Sequence, residues 1–587
     1  CVACPPDLRD IQTVMSRVKD EGISFLTITL PSLGSDLEQA LASGGIDSTH
    51  FRSFRKYGKA PAFLRGFFSL IFNHGTGGVS GATDEITVAV ECIRQLAYAF
   101  KKLKLQCTRK RVNNTLQSFT EIEQNISSAI TGDQETARYT AVCDILWGSV
   151  LGNLPNVYTL IPKHGPGATA ERLSGNRKFT AVRWHDRLER FFPMLHNRFS
   201  SETAYNSKEF ENVTIVEPED EQPVRVIPVP KTLKGPRIIA IEPVCMQYAQ
   251  QAIAGALVPL LESHPITRGH VNFTDQSVNQ RLAMIASRNG KMATLDLSSA
   301  SDRVPLSLSM RMFDKAPDYQ GAIFACRSRR AEMPDGTLLH LGKFASMGSA
   351  LCFPIEAMYF YTLCIMALLE EQSLPVTYSS IKKVAKHVYV YGDDIIVPTT
   401  SATIVIDTLQ KYHCKVNVRK SFFTGYFRES CGQDAFLGED VTPTYIRECI
   451  PDDRRNASAL ISLTKTCNLL YLRGYWKAAS YIKDACEKTL GALPIVGDRC
   501  GALGLLSYQS RVSAKRWNRE YQRLEIKAWI PTPVHRSDVL AGYGALTKCL
   551  QTLERRVSTS ISIDESHLVS TPRHGAVTLK RRWTVPY

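Results

Sequence analysis

His387 to Pro398 reads HVYVYGDDIIVP. Two apolar runs, rich in β-branched and aromatic residues, flank Gly392, Asp393 and Asp394. The pattern predicts strand, tight turn, strand. Gly392 suits such a turn because glycine adopts backbone angles that other residues resist. Two adjacent carboxylates at the tip of an apolar hairpin need a reason. Like charges this close repel and raise each other's pKa unless a cation sits between them. Mg²⁺ or Mn²⁺, which prefer oxygen ligands, would remove that penalty. A polar hairpin turn accounts for the same residues without a metal, since Gly and Asp are ordinary turn formers. The stretch alone leaves both readings open.

Upstream, Met292 to Asp302 reads MATLDLSSASD. Ala293 to Leu297 predicts a short buried strand, with Asp296 near its end. An unpaired buried carboxylate is costly, so Asp296 wants a metal or an arginine. Ser301 or Asp302 also suits a helix N-cap, with Pro305 in the following first turn. If the hairpin packs beside this strand, Asp296, Asp393 and Asp394 gather on adjacent strands. Three carboxylates could then hold two Mg²⁺ ions about 4 Å apart. Such a pair of ions serves phosphoryl transfer, which needs positioning and charge neutralisation more than covalent help.

Val224 to Pro243, VRVIPVPKTLKGPRIIAIEP, predicts two β-rich runs around a turn marked by Pro230, Gly235 and Pro236. It carries Lys231, Lys234 and Arg237. Three cations on a hairpin can clamp a triphosphate or a template backbone. A basic surface hairpin is the plain alternative. Ala345 to Glu356, ASMGSALCFPIE, places Ser346 and Gly348 just before an apolar run. That run, Ala357 to Leu369, is bounded by Glu356 and Glu370. It falls short of the ~20 residues of a membrane span and predicts a buried helix. Val416 to Phe423, VNVRKSFF, predicts a strand carrying Arg419 and Lys420. From about Pro451 the pattern is mainly helical.

The chain has 587 residues, 44% of them hydrophobic, too long for one simple domain. A formal charge of +15 points to a polyanionic partner such as nucleic acid. Sixteen cysteines show no repeated spacing, and no signal peptide is visible, which predicts reduced cytosolic thiols. Cys1 and Cys4 have the spacing of half a zinc site that nothing completes. Lys101, Lys102, Lys104, Arg109, Lys110 and Arg111 form a basic cluster, either a solvated helix face or a phosphate contact. Lys163 to Thr169, KHGPGAT, is a Gly-rich loop that could hold phosphate but lacks the Walker spacing. Lys580 to Trp583, KRRW, is a polar tail or an RNA contact.

In this order the segments resemble the palm of template-dependent polymerases, and YGDD resembles the hairpin of viral RNA-dependent RNA polymerases. Further segments narrow the resemblance: VPKTLKGPRIIAIEP, DLSSASD, SMG, VYGDDII, and FRESCG followed by DVTPTYIR. Together they resemble the replicase subunit of positive-strand RNA bacteriophages, the Qβ-like leviviruses. FTDQSVNQR at Phe273 to Arg281 and GATA at Gly167 to Ala170 also resemble that family. The resemblance runs from about Lys163 to Arg447.

The resemblance implies an α+β, right-hand fold with an antiparallel palm sheet flanked by helices. Residues 1–222 would form an N-terminal region and fingers, and 223–290 further fingers with the cationic hairpin. Residues 291–450 would form the palm, and 451–587 a mainly helical thumb and C-terminal region. The implied activity is RNA-directed RNA polymerase in the host bacterial cytoplasm. The implied partners are RNA template and product, NTPs, host elongation factors Tu and Ts and a ribosomal protein, with no membrane. Asp296, Asp393 and Asp394 would be ligands of two Mg²⁺ ions, with Mn²⁺ as a substitute. Asp302 would help read the ribose 2′-hydroxyl, and Ser346 and Gly348 would border template and nucleotide. Lys231, Lys234 and Arg237 would lie over the triphosphate. Lys420 is a candidate general acid for pyrophosphate, with a solvated strand lysine as the alternative. Ser349 stands where the family tends to carry Asn, which puts hydrogen bonding there in doubt. Two other functions compete. A reverse transcriptase shares paired aspartates, but usually carries an aromatic gate near Ser301 or Asp302. An RNA-binding scaffold accounts for the charge and leaves three carboxylates without a purpose.

Overall fold

A computed structural model of the chain describes residues 8–81, 83–509, 511–534, 538–558 and 576–587. The architecture is mixed helix and sheet, with mostly antiparallel strand pairs. The largest core runs from Tyr139 to Val416 in sequence and surrounds the helix Cys352–Glu371. That helix has 20 residues and so extends beyond both ends of the predicted apolar run. Cys352 and Pro354 start it, and Glu356 lies inside it rather than at its border. It is long and apolar enough to cross a membrane, as is Val244–Ser263. Every residue from Ala357 to Leu369 is nevertheless buried within the protein. A helix that is apolar all round is what the centre of a large core requires.

Against this helix lies a three-stranded antiparallel sheet in the spatial order Tyr389–Tyr391, Asp394–Pro398, Met292–Leu295. Tyr391 pairs with Asp394, so Gly392 and Asp393 form the entire loop. Gly392 has φ +62°, and a Cβ there would collide with the Phe353 ring. On the other side Ile395 pairs with Leu295. This register brings Asp296, just past its strand, level with Asp394.

The cationic segment is a hairpin, Val224–Thr232 with Gly235–Ile241, extended by Arg330–Glu332 and Leu338–His340. Its apolar side packs on Phe119 of the helix Arg109–Ser127. The N-terminal segment 1–222 divides between cores. Phe25 to Ile93 packs with Phe422, Phe427, Phe436 and Val441, whereas Tyr139 onward joins the main core. Buried Arg94 ties these parts together through ion pairs with Glu38 and Asp434.

One expectation needs correction, and others gain detail. Val416 to Phe423 is not a strand. Leu297 bridges Val416 and Thr294 bridges Phe422, and between them Val418–Lys420 makes a single 3-10 turn. The region after Pro451 is mainly helical, with a third helix at Gly542–Ser558, but it also holds strands. The helices Ala457–Leu472 and Trp476–Leu490 are followed by a sheet of Arg516–Asn518, Arg523–Pro533 and Val577–Thr584. In the Gly-rich loop at Lys163 to Thr169, the Gly165 and Gly167 carbonyls accept from the Lys178 ammonium. Lys101 and Lys102 precede the helix and lie over the rings of Tyr98 and Tyr445 rather than on a solvated helix face. The described cysteines are free thiols; Cys1 and Cys4 lie outside the described residues.

At the base of the cationic hairpin, burial pushes the Glu242 carboxyl up to about 7. Its Oε2 accepts from Ser328 Oγ at 2.5 Å. An acid whose pKa rises on folding binds protons on folding, so its contribution is full below its unfolded pKa. That contribution is lost as pH rises toward 7. The loss is at most about 3 kcal/mol. Glu242→Gln is therefore expected to flatten the decline in stability between pH 5 and 8, measured by urea unfolding at several pH values.

Candidate active site

Four carboxylates meet at the end of the three-stranded sheet. Asp394 Oδ2 accepts from the Cys431 backbone N–H at 3.1 Å. Asp296 Oδ2 accepts from Asn417 Nδ2 at 2.8 Å, and its Oδ1 faces Lys420 Nζ at 3.5 Å. Burial first, and then the charges of Asp393, Glu429 and Asp296, push Asp394 up to about 7. Burial also raises Asp296; Lys420 opposes this, while Glu429 and Asp393 reinforce it. Lys420 is held strongly protonated, by Glu429 first and also by Asp296 and Asp394. The 3-10 turn that replaces the expected strand is what swings Lys420 over Asp296.

Among the described residues, no three Asp, Glu, His or Cys side chains close on a common point as metal ligands. Asn417 and Lys420 hold Asp296 in another arrangement. The donor chemistry still fits a hard divalent cation. The group is carboxylate throughout, and the charges of Asp393 and Glu429 raise the pKa values of Asp296 and Asp394, the penalty that a cation relieves.

The cationic hairpin reaches this group through Lys231. Its pKa is lowered by burial and then by Arg237 and Lys420, while Asp393 and Asp296 oppose the shift. Arg237 stands beside it on the paired strand, opposite Val229. Lys234 is exposed in the turn. Arg111, from the basic cluster, donates to the Leu233 carbonyl at 2.9 Å and so steadies that turn.

Asp302 and Ser346 are brought into direct contact. Asp302 Oδ1 accepts from Ser346 Oγ at 2.9 Å and from Lys343 Nζ at 3.0 Å. Lys343 is fully buried, pairs also with Glu123 at 3.0 Å, and lies 3.7 Å from the Phe119 ring centroid. Burial first, and then the charges of Asp393 and Asp302, push the Glu356 carboxyl in the central helix well above the usual carboxylate range. Gly348 has φ +133°, and a Cβ there would run into the Ala240 carbonyl. Its neighbour Met347 accepts from Ala240 N at 2.9 Å. The glycine thus locks the SMG loop to the cationic hairpin. Ser349 donates to Gln250 Oε1 at 3.0 Å and accepts from Leu351 N at 3.2 Å, so its hydroxyl is fully used.

Lys343, Glu123, Glu356, Glu429 and Asn417 were not singled out by the sequence. FRESCG carried the one usable signal, an acidic residue in an otherwise buried strand, Glu429 in Phe427–Ser430. The remaining motifs brace the hairpin. Tyr391 Oη donates to the Phe273 carbonyl at 2.8 Å, and Gln280 Nε2 to that of Cys431 at 3.1 Å. Buried Arg428 donates to the Met292 carbonyl at 2.6 Å.

Part of the chain matches known proteins. Residues 206–481 match the family model described as RNA replicase, beta-chain. The chain is 36% identical over 228 residues to the RNA-directed RNA polymerase subunit beta of Qbeta virus strain MX1. That alignment covers 38% of this chain and 36% of the relative. It is 34% identical over 236 residues to the RNA-directed RNA polymerase beta chain of Escherichia phage MS2, covering 40% and 39%. The chain thus spans under two fifths of the length of these curated relatives. Among solved structures, the RNA-dependent RNA polymerase of a human picobirnavirus aligns with TM-score 0.38 and 10% identity, covering 64% of this chain and 73% of that one. Over residues 206–481, the chain is similar to the RNA replicase beta-chain family.

Proposed function

We propose that the chain is an RNA-directed RNA polymerase that replicates a single-stranded RNA phage genome, adding NTPs to a growing RNA 3′-hydroxyl. The observation that carries this reading is the convergence of Asp296, Asp393 and Asp394 at one sheet end, beside Lys231 of the cationic hairpin. The proposal includes the right-hand arrangement, with fingers over 1–290, palm over 291–450 and thumb after 451. It includes action in the bacterial cytoplasm, and association with elongation factors Tu and Ts and a ribosomal protein.

Asp296, Asp393 and Asp394 would hold two Mg²⁺ ions, or Mn²⁺. Bound there, the ions supply activation of the attacking hydroxyl and neutralisation of the departing pyrophosphate. Lys231, Lys234 and Arg237 add positive charge over the triphosphate. Lys420, kept protonated by its carboxylate neighbours, is placed to give a proton to pyrophosphate. Asp302, steadied by Lys343 and Ser346, presents a carboxylate that can accept from a ribose 2′-hydroxyl. Gly348 and Ser346 shape the loop beside it.

A reverse transcriptase remains the second enzyme reading. Ser301 and Asp302, small and acidic, favour ribonucleotides instead. Purified chain given RNA template and Mg²⁺ is expected to incorporate ribonucleotides in strong preference to deoxyribonucleotides. Equal use of both would defeat the reading. Asp302→Ala is expected to lower that preference roughly 10- to 100-fold, the scale of one lost charge-assisted hydrogen bond. Steady-state incorporation of the two nucleotide types checks it.

A further inference from the structure

The sheet of Arg516–Asn518, Arg523–Pro533 and Val577–Thr584 has a use that the carboxylate site does not supply. One face is structural: Ile526 and Ala528 are buried with Val496, Cys500 and Ala502. Arg516 pairs with Glu525, Lys527 with Trp583, and Trp529 with Arg581. Alternation along the strands therefore puts Arg516, Lys527, Arg581 and Trp583 on the opposite face, whose other end, at Trp529, Leu579 and Val577, packs on the core around Leu460 and Ile482. Buried Glu525 accepts from Arg516 at 2.7 Å, Arg523 at 2.9 Å and Asn518 at 3.1 Å. This fixes two guanidinium groups. That of Arg516 lies 4.0 Å from the Trp583 ring centroid, and that of Arg523 lies 4.8 Å from the Tyr521 ring centroid. Trp583 is 37% exposed and Tyr521 60%. Residues 516–533 and 577–584 carry seven Lys and Arg against Glu520 and Glu525.

We propose that this face binds single-stranded RNA as a second contact, with bases stacking on the Trp583–Arg516 and Tyr521–Arg523 pairs and phosphates meeting Lys527 and Arg581. Aromatic rings and guanidinium planes stack on any base, and flanking cations track the backbone. The strong positive balance selects a polyanion over an apolar protein surface. The inference rests on the proposed function only in naming RNA as that polyanion.

The test uses the full chain and a fluorescein-labelled 12-nucleotide oligouridylate, followed by fluorescence anisotropy at several salt concentrations. Trp583→Ala is expected to weaken binding about 10-fold, while Trp583→Phe keeps most of it. Arg581→Ala is expected to reduce the salt slope by about 0.7. Crosslinking of 4-thiouridine RNA to the wild-type chain guards against a misfolded variant. Crosslinks on peptides within 516–529 or 577–584 support the assignment. Unchanged affinity and slope in the variants, or crosslinks only elsewhere, would overturn it and leave the face to a protein partner. Asp393→Asn separates the two readings. It is expected to keep oligouridylate binding at this sheet while RNA synthesis is lost. If the chain purified with the host proteins it retains made no RNA yet Trp583→Ala still weakened binding, the polymerase reading would fail and this one would stand.

Discussion

Asp393→Asn is expected to abolish RNA synthesis while leaving the chain folded. Asparagine keeps the size of the side chain and removes one charge from the cluster proposed to hold divalent cations. Losing one carboxylate of such a site lowers turnover on the order of 10³-fold or more. The fold is not expected to suffer. The Asp393 charge raises the pKa of both Asp296 and Asp394, so its removal relieves repulsion. Labelled-nucleotide incorporation measures the first effect, and thermal unfolding without metal measures the second. A variant that is inactive because it melts far below the wild type would not bear on the metal assignment. One that is folded and fully active would refute it.

Lys343→Met is expected to produce the largest loss of stability. Lys343 is fully buried between two carboxylates, Glu123 and Asp302, each 3.0 Å from its Nζ. Methionine preserves much of the volume and deletes the charge. Glu123 keeps hydrogen bonds from Gly342 N and Ser127 Oγ, and Asp302 keeps that of Ser346. Neither carboxylate keeps a counter-charge. Removing one partner of a buried ion pair costs about 3–5 kcal/mol. Urea unfolding of Lys343→Met against wild type gives the value directly. Adding Glu123→Gln to Lys343→Met is expected to restore part of it, because one of the stranded charges disappears. A loss under about 1 kcal/mol would mean that the pair contributes little.

The centre of the site was legible because its signals are local. Alternating apolar residues around Gly392 predict a hairpin, and two acids at its tip defy the apolar surroundings. Asp296 stands out in the same way at the end of a buried strand. What could not be read came from distant partners. Glu123 and Lys343 meet only through folding, 220 positions apart, and neither breaks a local pattern. Val416 and Phe422 are buried and separated by polar residues, which mimics a strand. The fold needs only their two ends against Leu297 and Thr294, and Lys420 turns between them. The central helix was read short because Glu356 looked like a border. Glu356 is nevertheless buried inside the helix, and burial pushes its carboxyl pKa up. The C-terminal sheet was missed for another reason. Its strands alternate basic and apolar residues, and the strong helical pattern before them was extended too far.

The central claim is that the carboxylate cluster under the cationic hairpin copies RNA. The most direct measurement is sequencing of the product strand. The chain, expressed in bacteria and purified with the host proteins it retains, would be given one RNA of known sequence, Mg²⁺ and the four NTPs. The account predicts new RNA complementary to that template from the wild type, and none from Asp393→Asn. Product unrelated to the template, or complementary product made equally by both chains, would contradict it.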